Sequence, residues 1–219
     1  MFLFIIFHQV HKIYINIFFI YNEEMYIIVG LGNPGEEYEE TRHNAGRMVA
    51  AAFVKKVGLP EVVASKKYAS LMSEGKVGKE KVLVLMPETF MNKSGAAVKS
   101  LVTSAKKAET LVVIQDDLDM PLGKIKILFN RGTGGHRGIE SIKKAIKTEA
   151  FIRVKIGISP ETPGGKLKKP DSSKIMDFIV GPFKKPELEL MKKTAKRAAE
   201  AVETIVTEGK EKAQEIFNQ

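Results

Sequence analysis

Three short and almost continuous apolar runs constrain the fold of this chain more than any other feature. They lie at residues 26–31 (YIIVGL), 82–86 (VLVLM) and 110–115 (TLVVIQ). Strands that are apolar on both sides are typical of a parallel sheet that helices cover on both faces. Segments with helical periodicity separate the runs, so we predict an α/β fold. The expected architecture is a single domain with a mixed, mostly parallel twisted sheet and helices on both faces.

The segments around these runs predict the remaining elements. Apolar residues at helical spacing predict helices over residues 41–57, 92–106, 138–147 and 186–206. Residues 67–74 and 81–86 flank a glycine-containing turn, which predicts a hairpin. Residues 124–129 alternate between polar and apolar side chains, as a half-exposed edge strand does, and residues 152–158 predict another strand. Residues 159–173 hold three Pro and two Gly and predict a flexible surface loop.

Residues 1–24 differ in composition from the rest of the chain, since they hold five of its 12 Phe. Polar residues interrupt their apolar stretch, so they match neither a secretory signal peptide nor a transmembrane helix of about 20 residues. We predict that residues 1–24 are a non-native upstream extension, translated ahead of a start at Met25, or a disordered leader. A membrane-associating segment and an additional strand or helix are the alternatives.

The composition excludes several function classes. The 219 residues include no Cys and only four His. The lack of Cys excludes a disulfide-stabilised scaffold, a Cys-ligated zinc site and a cysteine nucleophile, and it suits a reducing cytoplasm. The formal net charge of +9 favours a polyanionic partner, and nucleic acid more than an anionic membrane.

A G-x-G-x-x-G motif at residues 30–35 follows the first predicted strand. In dinucleotide-binding proteins this motif leads directly into a helix whose N-terminus binds a pyrophosphate. Here Pro34 and the polar residues 36–40 delay the helix, and residues 42–60 contain no acidic residue that could bind a ribose. We therefore disfavour a dinucleotide site. A tight glycine turn and a ligand site formed by Asn33 at the strand end remain as alternatives.

Polar side chains follow each of the three apolar runs. Asn33, Asn92 and Asp116 come after these runs, where parallel strands of an open α/β sheet form a ligand crevice. His43 lies near the start of the first predicted helix and could pair with Asp116, because a carboxylate orients an imidazole that acts as a general base. The pattern suggests hydrolysis or acyl transfer with water as the nucleophile, since the chain has neither Cys nor a G-x-S-x-G motif.

Each of these features also has a purely structural interpretation. His43 and Asn92 could cap or flank a helix. The acidic residues at 116–119 could bind magnesium or belong to a solvated turn. Residues 132–138 (GTGGHRG) could cradle a phosphate, hold a second histidine site or form a flexible loop.

Five motifs together resemble those of bacterial-type peptidyl-tRNA hydrolases. They are VGLGNPGE (29–36), TRHNAG (41–46), PETFMNKSG (87–95), DDLD (116–119) and GGHRGIESI (134–142). The resemblance implies that residues 25–219 are a catalytic domain that hydrolyses the ester bond between peptide and tRNA in prematurely released peptidyl-tRNA, which recycles the tRNA. It also implies a cytoplasmic monomer with no cofactor, no metal and no stable membrane partner. Its partner would be peptidyl-tRNA, bound through the acceptor arm and the nascent peptide.

The resemblance assigns a role to individual motif residues. His43 would activate a water molecule as the general base, with Asp116 as its catalytic partner. The residues that would bind or position the substrate are Asn33, Tyr38, Met91, Asn92, His136 and Arg137. The family usually has Asn where this chain has Arg137, so the amide of that Asn is replaced by a longer cation. Arg137 could contact the tRNA backbone or a peptide carbonyl instead.

Positive charge is concentrated in two blocks of the sequence. Residues 124–155 hold nine Lys or Arg and two Glu, a net charge of +7, and residues 166–197 hold ten Lys or Arg and four acidic residues, a net charge of +6. Such blocks are typical of phosphate contacts with RNA, although any single lysine could belong to a solvated helix face. The candidates for contacts with the tRNA backbone are Lys126, Arg131, Lys143, Lys144, Lys147, Lys155, Lys192, Lys193 and Lys196.

Two other function classes compete with the enzyme hypothesis. One is a non-catalytic RNA-binding relative that keeps the fold, which Arg137 favours but the retained His43, Asp116, Asn33 and Asn92 disfavour. The other is an α/β nucleotide-binding protein that uses the glycine motif. Release of tRNA from a model peptidyl-tRNA separates all three hypotheses.

Overall fold

Seven strands form one mixed sheet in the order β2-β3-β4-β1-β5-β7-β6. The computed structural model of the chain describes residues 25–219. The strands are β1 (Met25–Gly30), β2 (Val63–Ser65), β3 (Ser70–Val77), β4 (Glu80–Pro87), β5 (Leu111–Pro121), β6 (Ile125–Phe129) and β7 (Ile152–Ser159). The central strands β4, β1, β5 and β7 are parallel, and the remaining strand pairs are antiparallel. The predicted hairpin is β3–β4, and the predicted edge strand is β6.

Helices cover both faces of this sheet. Among residues 25–219 the α-helices are α1 (Ala45–Lys56), α2 (Ala105–Ala108), α3 (Arg137–Ile146), α4 (Ile175–Val180), α5 (Lys185–Glu208) and α6 (Lys210–Phe217). α1, α5 and α6 pack on one face, where Phe53 and Val202 join the core. α3 and the 3-10 helix Met91–Ala97 pack on the opposite face with Ile139 and Ile142. These observations confirm the predicted fold class.

The continuous apolar run of β1 follows from burial on both faces of the sheet. Side chains alternate between the two faces of a strand. Ile28 belongs to the core on the α1 side, whereas Ile27 and Val29 belong to the core on the α3 side, and all three are at most 4% exposed. Burial of each such side chain contributes roughly 1.5–3 kcal/mol, which fixes β1 in the centre of the sheet. The loop after β1 therefore lies at the carboxyl edge of the parallel strands.

The helix predicted over residues 92–106 is wrong. The chain forms the 3-10 helix Met91–Ala97 instead, and α-helix occurs there only in the four residues of α2. Close packing against α3 is the cause, because a Cβ atom added to Gly95 would lie 2.3 Å from the Ser141 carbonyl oxygen. The Gly95 N–H also donates a hydrogen bond to the Ser141 hydroxyl at 2.9 Å. This tertiary contact outweighs the helical periodicity of the segment.

The structure adds three short elements, β2, α4 and α6, that the sequence patterns do not predict. Residues 160–171 contain no helix or strand apart from an isolated bridge between Glu161 and Leu167, in agreement with the predicted surface loop. The predictions for residues 1–24 concern residues outside the described part of the chain. Across residues 25–219, no helix has both the length and the apolar character that a membrane span requires.

Candidate active site

His43 and Asp116 meet at the carboxyl edge of the parallel strands. Asp116 lies in β5, directly after the buried apolar run, and His43 lies in the 3-10 helix Arg42–Asn44. The α-helix predicted from residue 41 begins only at Ala45, after this tighter turn. His43 Nδ1 is 2.9 Å from Asp116 Oδ1 and 3.0 Å from Oδ2. Both residues are buried, so the structure brings the predicted pair into direct hydrogen-bond contact.

His136 contacts the same carboxylate. Its Nε2 lies 2.9 Å from Asp116 Oδ1, and its Nδ1 accepts hydrogen bonds from the N–H groups of Gly138 (3.1 Å) and Ile139 (3.4 Å). His136 is therefore the N-cap residue of α3. Because Nδ1 accepts hydrogen bonds, Nε2 carries the proton of the neutral ring. Nε2 therefore donates a hydrogen bond to Asp116. Both ring nitrogens of His136 are thus engaged within the protein.

The two histidines keep Asp116 ionised. Burial by itself raises the pKa of Asp116, but the charges and hydrogen bonds of His43 and His136 together lower this pKa well below its ordinary value. An ionised carboxylate can only accept hydrogen bonds, so His43 donates through Nδ1. In the neutral ring, His43 Nε2 is then the basic nitrogen, and no residue in the described range engages it. The arrangement suits a general base.

The same three side chains also resemble a set of metal ligands. Their ligand atoms lie within 4.8 Å of one another, and two imidazoles with a carboxylate can bind a divalent transition metal. Coordination by His136 Nε2, however, requires its proton to move to Nδ1. That nitrogen faces the N–H groups of Gly138 and Ile139. The helix cap therefore favours the tautomer that cannot bind a metal, and the side chains fit a hydrogen-bonded triad better than a metal centre.

Asn33 is held in place by two neighbouring segments. The Asn33 backbone N–H donates to Asn44 Oδ1 (2.8 Å), and Asn44 Nδ2 donates back to the Asn33 carbonyl oxygen (2.9 Å). The Met91 N–H donates to Asn33 Oδ1 at 3.0 Å. These contacts orient the Asn33 amide, whose Nδ2 has no hydrogen-bond partner among residues 25–219. Sequence reasoning missed the role of Asn44, although its position directly after His43 in the TRHNAG motif was a usable signal.

A cleft of about 580 Å³ opens beside the triad of His43, Asp116 and His136. The glycine loop at residues 132–135 and the α4 residues Ile175 and Ile179 contribute to its walls. The predicted site residues that line this cleft are His43, Asp116, His136, Arg137 and Lys155. Arg137 is exposed at the first position of α3. The triad thus forms part of the wall of this cleft.

Four predicted substrate residues lie outside the set that lines this cleft. Asn33 and Met91 are buried, and Tyr38 is half-buried in the 3-10 helix Glu36–Tyr38. Asn92 is exposed. Their roles toward the substrate therefore stay predictions.

Gln115 and Arg153 line the cleft, although sequence reasoning did not select them. Arg153 is 4% exposed, and its Nη1 is 3.4 Å from both Gln115 Oε1 and the Thr133 carbonyl oxygen. Burial lowers the pKa of Arg153, while Glu149 acts in the opposite direction. A cation at the second position of the apolar strand β7 was the available signal, since a buried charge in a strand requires an explanation.

The predicted tRNA-binding residues fall on different parts of the surface. Lys143, Lys144 and Lys147 are exposed on or just after α3, and Lys126 and Arg131 are exposed on or after β6. The three α5 candidates, Lys192, Lys193 and Lys196, are also exposed, but α5 covers the other face of the sheet from α3. Lys155 forms an ion pair with Asp117, and Lys143 forms one with Glu149. The two basic blocks of the sequence therefore do not form one continuous surface beside the glycine loop.

Comparison with known proteins extends the similarity over the described chain. The family model of peptidyl-tRNA hydrolase matches residues 27–219. Peptidyl-tRNA hydrolases of Carboxydothermus hydrogenoformans and Caldanaerobacter subterraneus subsp. tengcongensis are 44% and 43% identical over 195 residues, which cover 89% of this chain and 98% and 100% of theirs. A crystal structure of peptidyl-tRNA hydrolase from Acinetobacter baumannii superposes with a TM-score of 0.78 at 30% identity, over 90% of this chain and 95% of that chain. With this likeness to bacterial enzymes, the chain belongs to the peptidyl-tRNA hydrolase family of hydrolases.

Proposed function

We propose that this protein hydrolyses the ester bond between a peptide and the terminal ribose of tRNA, with His43 as the general base. The observation that carries the proposal is the hydrogen-bonded pair of His43 and Asp116. Among residues 25–219, the pair leaves His43 Nε2 without a hydrogen-bond partner beside a cleft. Family membership supports the substrate, and the outcome is recycling of tRNA from prematurely released peptidyl-tRNA.

In the proposed reaction His43 Nε2 accepts a proton from water while the water oxygen attacks the ester carbonyl. Asp116 stabilises the resulting imidazolium through the hydrogen bond to Nδ1. When the tetrahedral intermediate collapses, the carbon–oxygen bond to the ribose breaks, and the imidazolium gives its proton to the ribose oxygen. The products are a peptide with a free carboxyl group and a tRNA with a terminal hydroxyl, and no covalent enzyme intermediate forms.

Asn33 is the proposed donor to the substrate carbonyl. Because the Met91 N–H holds its Oδ1, the Nδ2 of Asn33 can donate to the developing oxyanion. Tyr38, Met91 and Asn92 are proposed to contact the peptide end of the bound substrate. His136 would offer only its ring surface, since both of its nitrogens are engaged.

The acceptor arm of the tRNA is proposed to approach over α3 and β6. α3 carries exposed lysines, and its first residue, Arg137, lines the cleft. Lys155 also lines the cleft but would have to leave Asp117 to contact a phosphate. The α5 lysines are proposed to contribute less, because their helix covers the other face of the sheet. The catalytic domain would comprise residues 25–219 and act as a cytoplasmic monomer.

The test is release of tRNA from a model peptidyl-tRNA, measured with and without EDTA. Hydrolysis that persists in EDTA supports a metal-free reaction, and hydrolysis that EDTA abolishes contradicts it. Binding of peptidyl-tRNA without release would instead identify a non-catalytic RNA-binding relative, which Arg137 favours. Binding of a dinucleotide without tRNA release would favour the nucleotide-binding alternative.

A further inference from the structure

Arg42 directly precedes the proposed base and is only 6% exposed. Its Nη1 donates hydrogen bonds to the carbonyl oxygens of Gly181 (3.2 Å) and Pro182 (2.9 Å). Its Nη2 lies 2.7 Å from Glu187 Oε2, and its backbone N–H donates to the Gly181 carbonyl oxygen. One side chain therefore ties the turn that carries His43 to the segment between α4 and α5.

Two aromatic rings enclose the same guanidinium. Its central carbon lies 4.4 Å from the ring centroid of Phe178 and 5.2 Å from that of Phe183. Such cation–π contacts stabilise a desolvated cation. Phe178 belongs to α4, and the α4 residues Ile175 and Ile179 line the cleft. Arg42 is thus in contact with the helix that forms one wall of the cleft.

The anionic partner of Arg42 is itself fixed. Glu187 Oε2 also accepts a hydrogen bond from the Lys184 N–H at 2.9 Å, which caps the start of α5. The side chain of Arg42 is 8% exposed and that of Glu187 is 18% exposed, so the ion pair is largely shielded from water. Removal of either partner would leave the other charge poorly solvated.

We propose that Arg42 is a positioning residue, which holds the Arg42–Asn44 turn against the α4 wall and so keeps His43 Nδ1 in contact with Asp116. The proposal rests on the proposed role of His43. Lysine could not replace Arg42, because an ammonium group lacks the planar fork that reaches two carbonyl groups and a carboxylate together. A displacement of about 1 Å in a catalytic group lowers the rate on the order of 100-fold.

The chain offers a matched control for the ion pair between Arg42 and Glu187. Lys56 and Glu203 form an ion pair at 3.3 Å, and this pair also joins the α1 region to α5. Their side chains are 37% and 38% exposed, and neither residue lines the cleft. Loss of this pair removes an ion pair with α5 at a position away from the His43 turn.

The experiment compares Arg42→Lys, Glu187→Gln and Lys56→Gln in the full chain. Circular dichroism checks the fold of each variant, and kinetics on peptidyl-tRNA give kcat and KM. We expect Arg42→Lys to lower kcat roughly 10- to 100-fold with a much smaller change in KM. Glu187→Gln should lower kcat less, since the two carbonyl contacts remain, and Lys56→Gln should match the wild type.

A spectroscopic readout tests the positioning without reference to turnover. Proton NMR should show a downfield resonance from the Nδ1–H of His43, identified by its absence in His43→Ala. This resonance should broaden or vanish in Arg42→Lys and persist in Lys56→Gln. An intact resonance or a wild-type kcat in folded Arg42→Lys would overturn the proposal. If Arg42→Lys does not fold, the same two readouts on Glu187→Gln decide it. Full activity in His43→Ala would instead refute the role of His43 as the base. The resonance reports the contact of His43 with Asp116 and not its role in catalysis, so the two failures are distinguishable.

Discussion

The two histidines at Asp116 are presented by very different segments. The three residues of the Arg42–Asn44 turn are each at most 6% exposed, and side-chain hydrogen bonds anchor the turn on both sides. The loop at residues 132–138 is largely exposed before it enters α3. A Cβ atom added to any of its first three glycines would meet no atom within 4 Å. The buried turn therefore fixes one imidazole, while the open loop leaves room for a substrate beside the other.

Hydrogen bonding distinguishes the two rings further. His136 uses Nδ1 to cap α3 and Nε2 to contact Asp116. His43 uses Nδ1 for Asp116, which leaves its Nε2 for the proposed role as a base. One carboxylate thus contacts two histidines whose hydrogen bonding differs, and variants of each histidine distinguish their contributions.

The largest effect is expected for His43→Ala. Loss of the general base should lower kcat by about 10²–10⁴-fold, because no other basic ring nitrogen faces the cleft in the described chain. Binding of peptidyl-tRNA should survive, since the basic surface is unchanged. Single-turnover hydrolysis and filter binding on the same preparation check both statements. Near-normal turnover would contradict the assignment of His43.

A smaller effect is expected for His136→Asn. Asn can accept the hydrogen bonds at the start of α3, so the helix cap should persist. The hydrogen bond to Asp116 is lost, which should lower the unfolding free energy by roughly 1.5–3 kcal/mol, the contribution of a hydrogen bond to a charged group. Hydrolysis should fall less than in His43→Ala, because the proposed base and its own contact with Asp116 remain. His136→Ala loses the cap as well and should cost about 1 kcal/mol more of unfolding free energy. Equal Tm values for both variants would show that His136 does not stabilise α3.

The pH dependence of stability tests the carboxylate of Asp116, which both histidines contact. Its pKa is lowered well below the ordinary value, so the carboxylate stays charged between pH 7 and pH 5. A fall of kcat in this range therefore cannot result from protonation of Asp116. The stability that ionised Asp116 contributes is complete above about pH 4 and is lost only as the pH falls further, toward its folded pKa. We expect the stability advantage of wild type over Asp116→Asn to persist at pH 5 and to be lost only below about pH 4, as the carboxylate becomes protonated. A stability difference that already disappears between pH 7 and pH 5 would contradict this.

The sequence predicted the parts of the site that follow from sheet topology. Apolar runs identify strands, and the carboxyl ends of parallel strands meet at one edge. That rule placed Asn33 and Asp116 near each other and made His43 a reasonable partner of Asp116. The same patterns predicted α3 and α5, because each has enough apolar periodicity to dominate its local conformation.

The remaining features depend on contacts between segments that are distant in sequence. Arg42 meets carbonyl groups up to 140 residues away, so no local pattern reveals its role. Gly95 packs against Ser141, and this contact replaces the predicted α-helix with a 3-10 helix. The contact between His136 and Asp116 could not be predicted from the sequence either, because only the folded chain brings the two residues together. Charge counts could not reveal that α3 and α5 cover opposite faces of the sheet.

The two basic helices provide the next comparison. Replacement of Lys143, Lys144 and Lys147 by Gln should raise KM several-fold with little change in kcat, because phosphate contacts bind ground state and transition state alike. Each lost contact should also reduce the salt slope of binding by about 0.9 units. The matched replacement of Lys192, Lys193 and Lys196 should have a smaller effect, since α5 covers the other face of the sheet. A larger KM effect for the α5 variant would place the acceptor arm on that face.

The smallest effect is expected for Arg137→Asn, which restores the residue that is usual in the family. Arg137 is exposed at the start of α3 and forms no ion pair with residues 25–219. An Asn amide can both donate and accept hydrogen bonds in the cleft, so kcat should stay the same or increase. Arg131→Asn is the matched control, since Arg131 is exposed nearby but does not line the cleft. A collapse of kcat in Arg137→Asn alone would mean that Arg137 contacts the substrate directly. The open loop would then take part in the chemistry as well as the buried turn, and the division of roles between His43 and His136 would no longer account for the site.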